Sequence, residues 1–134
     1  MSIAEAAVEG VWDNIASVCY GKKIYTPTEK SWFSVAEVKQ DKLAVTTSND
    51  NMLPPIHRDY FVNALAYLLA HNHTKTSPCE IRSNKVYEEA GPLCRSARAP
   101  GSGQMNITYV LPILAEMGLV GIGKDVPSSA WLIA

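Results

Sequence analysis

The side chains most able to do chemistry fall into a few small groups. His71-x-His73, with Cys79 six residues further on, offers two imidazoles and a thiol of the kind that bind zinc. A zinc site generally needs four ligands at recognisable spacing, and no further cluster lies nearby, so these residues read as the polar end of a helix. His57 is a titratable group with Asp59 and Glu80 as conceivable partners. Catalysis needs a nucleophile, a base and a group that orients the base, and nothing in the spacing assembles them. Cys94 is the one thiol with a cation beside it, Arg95, that would lower its pKa, yet it reads as an incidental loop cysteine. Cys19 falls near the end of an apolar helical stripe and reads as packed. We therefore expect no catalytic residues, no metal and no cofactor.

Anions are a different matter. Arg82, Lys85, Arg95 and Arg98 form a basic stretch, and residues 91–106 hold two of these arginines and no acid. Pro100-Gly101-Ser102-Gly103-Gln104-Met105-Asn106 places two glycines ahead of a helix start, where free amides and the helix dipole can hold an anion. The stretch lacks the Gly-Lys-Ser/Thr ending of a nucleotide loop and reads mainly as a flexible connector.

Composition narrows the setting. A chain of 134 residues can bury one core without a staple, so a single domain over residues 1–134 is expected. The formal net charge of -1 argues against a general nucleic-acid coat or a polybasic membrane binder. Three cysteines, odd in number and without a Cys-x-x-Cys pair, fit a reducing cytoplasm. The first ten residues are acidic where a secretory leader is basic, and no apolar run approaches the ~20 residues of a membrane span. No membrane partner is expected.

The elements that must position these groups follow from periodicity and capping. Ser2-x-x-Glu5 is a capping box, and the apolar residues from Ile3 to Val18 form one helical stripe that Gly21 would end. Residues 32–38 and 43–47 read as a β-hairpin, with Ile24-Tyr25-Thr26 as a third strand. The spacing of Ile56, Tyr60, Phe61, Ala64, Leu65, Leu68 and Leu69 is the strongest helix signal and should end near His71-Asn72-His73. Ser77-Pro78-Cys79-Glu80 is a second capping box with proline at the first helical position, and predicts a helix to about Asn84 or Ala90. A long connection over 91–106 follows. Ile107 to Met117 then reads as a helix despite Pro112, the competing reading being a strand over 105–111 with a short helix opened by Pro112. Residues 119–122 and 131–133 close as a terminal hairpin. The fold class is α+β, with residues 1–53 forming a helix plus β-hairpin and residues 56–134 a second, mostly helical part.

That second part resembles a winged helix. The resemblance runs through a first helix over 57–71, a second from Pro78, a third from Ile107 to Met117 and a hairpin wing to Ala134. Its most telling stretch is Asn106-Ile107-Thr108-Tyr109-Val110-Leu111-Pro112-Ile113-Leu114-Ala115-Glu116-Met117-Gly118-Leu119-Val120. The resemblance implies a homodimeric nucleic-acid-binding or regulatory module, with Arg82, Lys85, Arg95 and Arg98 on phosphate and Gln104, Asn106, Thr108 and Tyr109 facing bases. Thr108, Tyr109, Pro112 and Glu116 are expected to point outward. They include no Arg or Lys, so any grip on DNA should come from the arginine loop. The spacing Phe33-x-Val35-x-x-Val38-x-x-Asp41-x-Leu43-x-Val45, with Ile56-x-Arg58-x-x-Phe61, is also similar to small uncharacterised bacterial proteins, including some carried on mobile elements. The alternative is a self-associating protein-interaction or small-ligand-binding module, without nucleic-acid binding, that offers a cleft near residues 91–105.

Overall fold

A computed structural model describes residues 2–125 and 127–133. The chain begins as the capping box requires. The Ser2 hydroxyl accepts from the Glu5 amide, the Glu5 carboxylate takes the Ser2 N–H, and helix α1 runs Ile3–Trp12. The single long stripe expected to Val18 is interrupted at Asp13 and Asn14, and α2 covers only Ile15–Cys19. The break turns the chain so that Trp12, Ile15 and Cys19 all enter the core while Val18 stays exposed.

Four antiparallel strands follow in the order β1-β2-β3-β4, namely Ile24–Tyr25, Trp32–Val38, Lys42–Thr47 and Ile56–His57. The hairpin and third strand expected from β-branched spacing are present, and β4 adds a short edge. The Trp12 indole N–H donates to the Lys39 carbonyl at 2.7 Å, tying α1 to the β2–β3 turn. Helix α3 spans Arg58–Ala70 and buries Phe61, Ala64, Leu65 and Leu68. Phe61 meets Trp12 edge to face with centroids 5.2 Å apart, so the two halves share one apolar cluster. The helix stops where expected, with Asn72 in the left-handed region at φ 54°.

The helix read from Pro78 does not form. Cys79–Glu80 is instead strand β5, paired antiparallel with Ala130 and Ser129, and the Ile81 N–H donates to the Ser128 carbonyl. Tertiary pairing overrides the local capping signal because a terminal hairpin left with two strands is marginal, and β5 supplies its third. The proline-initiated helix lies later: α4 is Pro92–Ser96, with Pro92 in its first turn and a single 3-10 turn at Tyr87–Glu89 before it. Residues 91–106 are accordingly no loose connection, since Leu93, Cys94, Ala97, Arg98 and Asn106 are buried.

Helix α5 runs Ile107–Glu116 through Pro112, so the helical reading prevails over the strand. It is the innermost element, with Ile107, Val110, Leu111, Pro112, Ile113 and Leu114 buried. Strands β6, Val120–Gly123, and β7, Ser129–Leu132, complete a second sheet in the order β5-β7-β6. The last wing residue, Ala134, lies outside the described residues. The α+β class follows directly from the five α-helices and two antiparallel sheets among the described residues. Among the described residues, no helix is long and apolar enough to cross a membrane.

Candidate functional sites

The residues expected to face bases take up other positions. Tyr109 packs edge to face on Phe33 of β2 with centroids 5.0 Å apart, and burial raises its phenol pKa. Asn106 is buried, and its side-chain amide donates to the Ala97 carbonyl at 3.0 Å rather than capping α5. Thr108 is half-buried and Pro112 fully so. Glu116 takes the Lys22 ammonium, which the hydrogen bond holds above its ordinary pKa. The outward orientation expected for this helix is thus overturned by the N-terminal sheet and α2, which lie against the side that a reading helix would present. Gln104 alone of the four is exposed.

The basic residues divide. Arg82 and Lys85 are exposed and Arg95 is half-buried, and none of them forms an ion pair among the described residues. Arg98 is only 3% exposed. Its guanidinium lies over the Tyr87 ring, 5.4 Å from the centroid, and Nε, Nη1 and Nη2 are all buried without a hydrogen-bond partner. It is not a surface residue waiting on phosphate, which corrects the sequence expectation. Two backbone segments meet beside this region. Residues 82–91 fold back on themselves through the Gly91 N–H to the Arg82 carbonyl, and Gly103 of the following loop sits against the Lys85 carbonyl, 3.4 Å from where a Cβ would stand.

The other candidate chemistries resolve into structure. His57 caps α3, its Nδ1 accepting from the Asp59 N–H, while Glu80 belongs to the second sheet. His71 and His73 group with the Tyr67 ring, and no set of three His, Cys, Asp or Glu able to hold a metal occurs among the described residues. All three thiols are buried and free. Cys94 lies in α4 beside the Ser83 hydroxyl rather than in an open loop. Burial, reinforced by the Glu116 charge and opposed by Lys22, pushes the Cys19 thiol up to about 11.

A site that periodicity did not indicate is an apolar groove of about 820 Å³ between α1, α3 and the terminal hairpin. It is lined by Ala4 and Ala7 of α1, Leu65 and Leu69 of α3, and Leu119 and Trp131 from the C-terminal segment. Trp131 lies flat across Gly121, where an added Cβ would stand 2.4 Å from the ring. Only glycine permits that approach, so the indole becomes a groove wall rather than an outward side chain. Two exposed isoleucines also line the groove, Ile3 at 76% and Ile133 at 53%, together with the polar segment Thr74, Lys75 and Thr76. On α1 the i, i+3, i+4, i+7 series Ile3, Ala6, Ala7 and Gly10 extends the uncharged surface beyond the groove. The sequence signal was present in the small residues of α1, but which side of that helix stays unpacked depends on where α3 docks.

No protein-family model, curated protein or solved structure matches this chain.

Proposed function

We propose that this chain is a winged-helix-like interaction module that self-associates through the apolar groove and uses its third helix as a core element. The winged-helix reading is supported by the order α3, β5, α4, α5, β6, β7 and by a wing backed by a third strand. The self-association reading rests on one observation, the continuity of exposed apolar surface from Ile3 and the small-residue side of α1 into the groove. A small ligand in the groove would leave Ile3 and Ile133 wet at the rim. A macromolecular surface covers them.

A second copy is the occupant that the shape favours. A two-fold contact needs a surface complementary to itself, and this one sets exposed isoleucines beside an open groove. With α1 set against α1 of the partner, Ala6, Ala7 and Gly10 allow close helix approach while each Ile3 enters the opposite groove. Nucleic-acid binding through α5 is the weaker reading, because that helix has no exposed cationic or amide side chain to present to base edges.

Sedimentation equilibrium over about 5–200 μM tests the proposal, with association at these concentrations corresponding to a Kd of roughly micromolar order. The wild-type chain is expected to dimerise, and the double variant Ile3→Glu/Leu69→Glu to remain monomeric with unchanged circular dichroism. A wild-type protein that is monomeric throughout, or a double variant that still dimerises, overturns it.

A further inference from the structure

The interior of the basic region holds a charge that nothing among the described residues neutralises. Arg98 is buried, three guanidinium nitrogens lack acceptors, and the one contact found for its charge is the Tyr87 ring. A cation–π contact attracts the charge but leaves the N–H groups unsatisfied, and an uncompensated buried charge is costly. Core positions without such a role are filled by apolar side chains, as Leu93, Ala97 and Ile107 show in the same region.

We infer that Arg98 is the floor of an anion site, taken by a phosphate-class oxyanion that enters between segment 82–91 and loop 99–106. A planar guanidinium fork matches the paired oxygens of such a group. Arg82, Lys85 and Arg95, unpaired among the described residues, supply further positive charge in the adjoining segments, which favours a multiply charged phosphate over a single carboxylate. The nearest acids in sequence are already placed: Glu89 accepts from the Asn84 amide, and Glu88 is exposed. No hydrogen bond joins segment 82–91 to loop 99–106 among the described residues. The loop is held internally, by the Ser102 N–H to the Ala99 carbonyl and the Gln104 N–H to the Ser102 hydroxyl, so it can move as a unit. Its base stays anchored through Asn106 and the Ala97 carbonyl. Arg98 is therefore fixed at one end of a cover that can lift without breaking a backbone ladder.

The site is independent of dimerisation, and its test does not use the groove. Thermal unfolding of the full chain is followed in chloride, in inorganic phosphate at matched ionic strength, and with a short DNA duplex. Phosphate or duplex in hundredfold excess over its Kd should raise the wild-type Tm by about 5 °C or more. Arg98→Met should lose that response while being at least as stable as wild type in chloride. Should Arg98→Met not fold, Arg98→Lys keeps the charge without the fork and should respond less than wild type. A response to inorganic phosphate assigns a free phosphate ligand, whereas a response to duplex alone, weakening with salt, assigns the nucleic-acid backbone. A wild-type Tm unmoved by either probe relative to chloride overturns the inference. A folded variant that responds as fully as wild type does the same.

Discussion

The groove and the Arg98 enclosure are mismatched to their surroundings in opposite senses. In the groove, apolar side chains that could have been buried are left facing solvent, with Ile3 and Ile133 more than half exposed. Around Arg98 a charge that belongs in solvent is held inside without an acceptor among the described residues. The cost of the first is proportional to area and is removed by any complementary apolar surface. That of the second is tied to specific N–H directions and is removed only by an acceptor in the right place. Shape selects the occupant of one region, and charge and geometry select that of the other.

Substitutions can separate these two regions from the core between them. The largest effect is expected where groove and core coincide: Leu65→Ala, at a side chain 2% exposed that also lines the groove, should cost about 2–5 kcal/mol in denaturant unfolding. Ile3→Glu at the rim should change monomer stability by less than about 0.5 kcal/mol and act on association alone. Equal losses from the two would mean that Ile3 is part of the core and would break the distinction. Gly121→Ala should cost about 1–3 kcal/mol, because the new methyl would displace the Trp131 ring. Its signature is altered Trp131 fluorescence together with weaker dimerisation. An unchanged spectrum would show that the indole does not need the bare backbone.

Away from both regions, Cys19 provides a pH reference. Its thiol holds the proton to about 11 in the fold against 9.0 for an ordinary thiol. The native state thus binds more protons than the unfolded chain in that interval, and this contribution is complete below pH 9 and lost as pH rises toward 11. The loss is on the order of 2 kcal/mol, and a Tm series from pH 8 to 11 should be shallower for Cys19→Ala. A smaller loss than at Leu65 is expected for Asn106→Ala, which strands the Ala97 carbonyl at a cost of about 1 kcal/mol. Because it also loosens the base of the loop over Arg98, it should accelerate hydrogen exchange in residues 97–106 more than elsewhere. Uniform acceleration would count against a cover that moves as a unit.

Local chemistry made much of the frame legible. The Ser2 capping box, the β2–β3 hairpin and the core stripe of α3 depend on neighbours a few residues apart, and they form where those neighbours indicate. The failures share a cause. Ser77-Pro78-Cys79-Glu80 carries helix-starting chemistry, but its backbone groups pair with Ala130 and Ser129, some fifty residues later. Thr108 and Tyr109 sit on a helix whose outer side was readable only once Phe33 and α2 had been placed against it.

The sequence by itself determined which side chains carry charge, that no recognisable catalytic or metal motif accompanies them, and which segments favour helix or strand. These are properties of residue type and short-range spacing. The tertiary structure alone decided that Arg98 is enclosed while Arg82 and Lys85 are not, and that α1 turns small residues toward an open groove. Burial is a property of what packs from far along the chain, and no local pattern contains it.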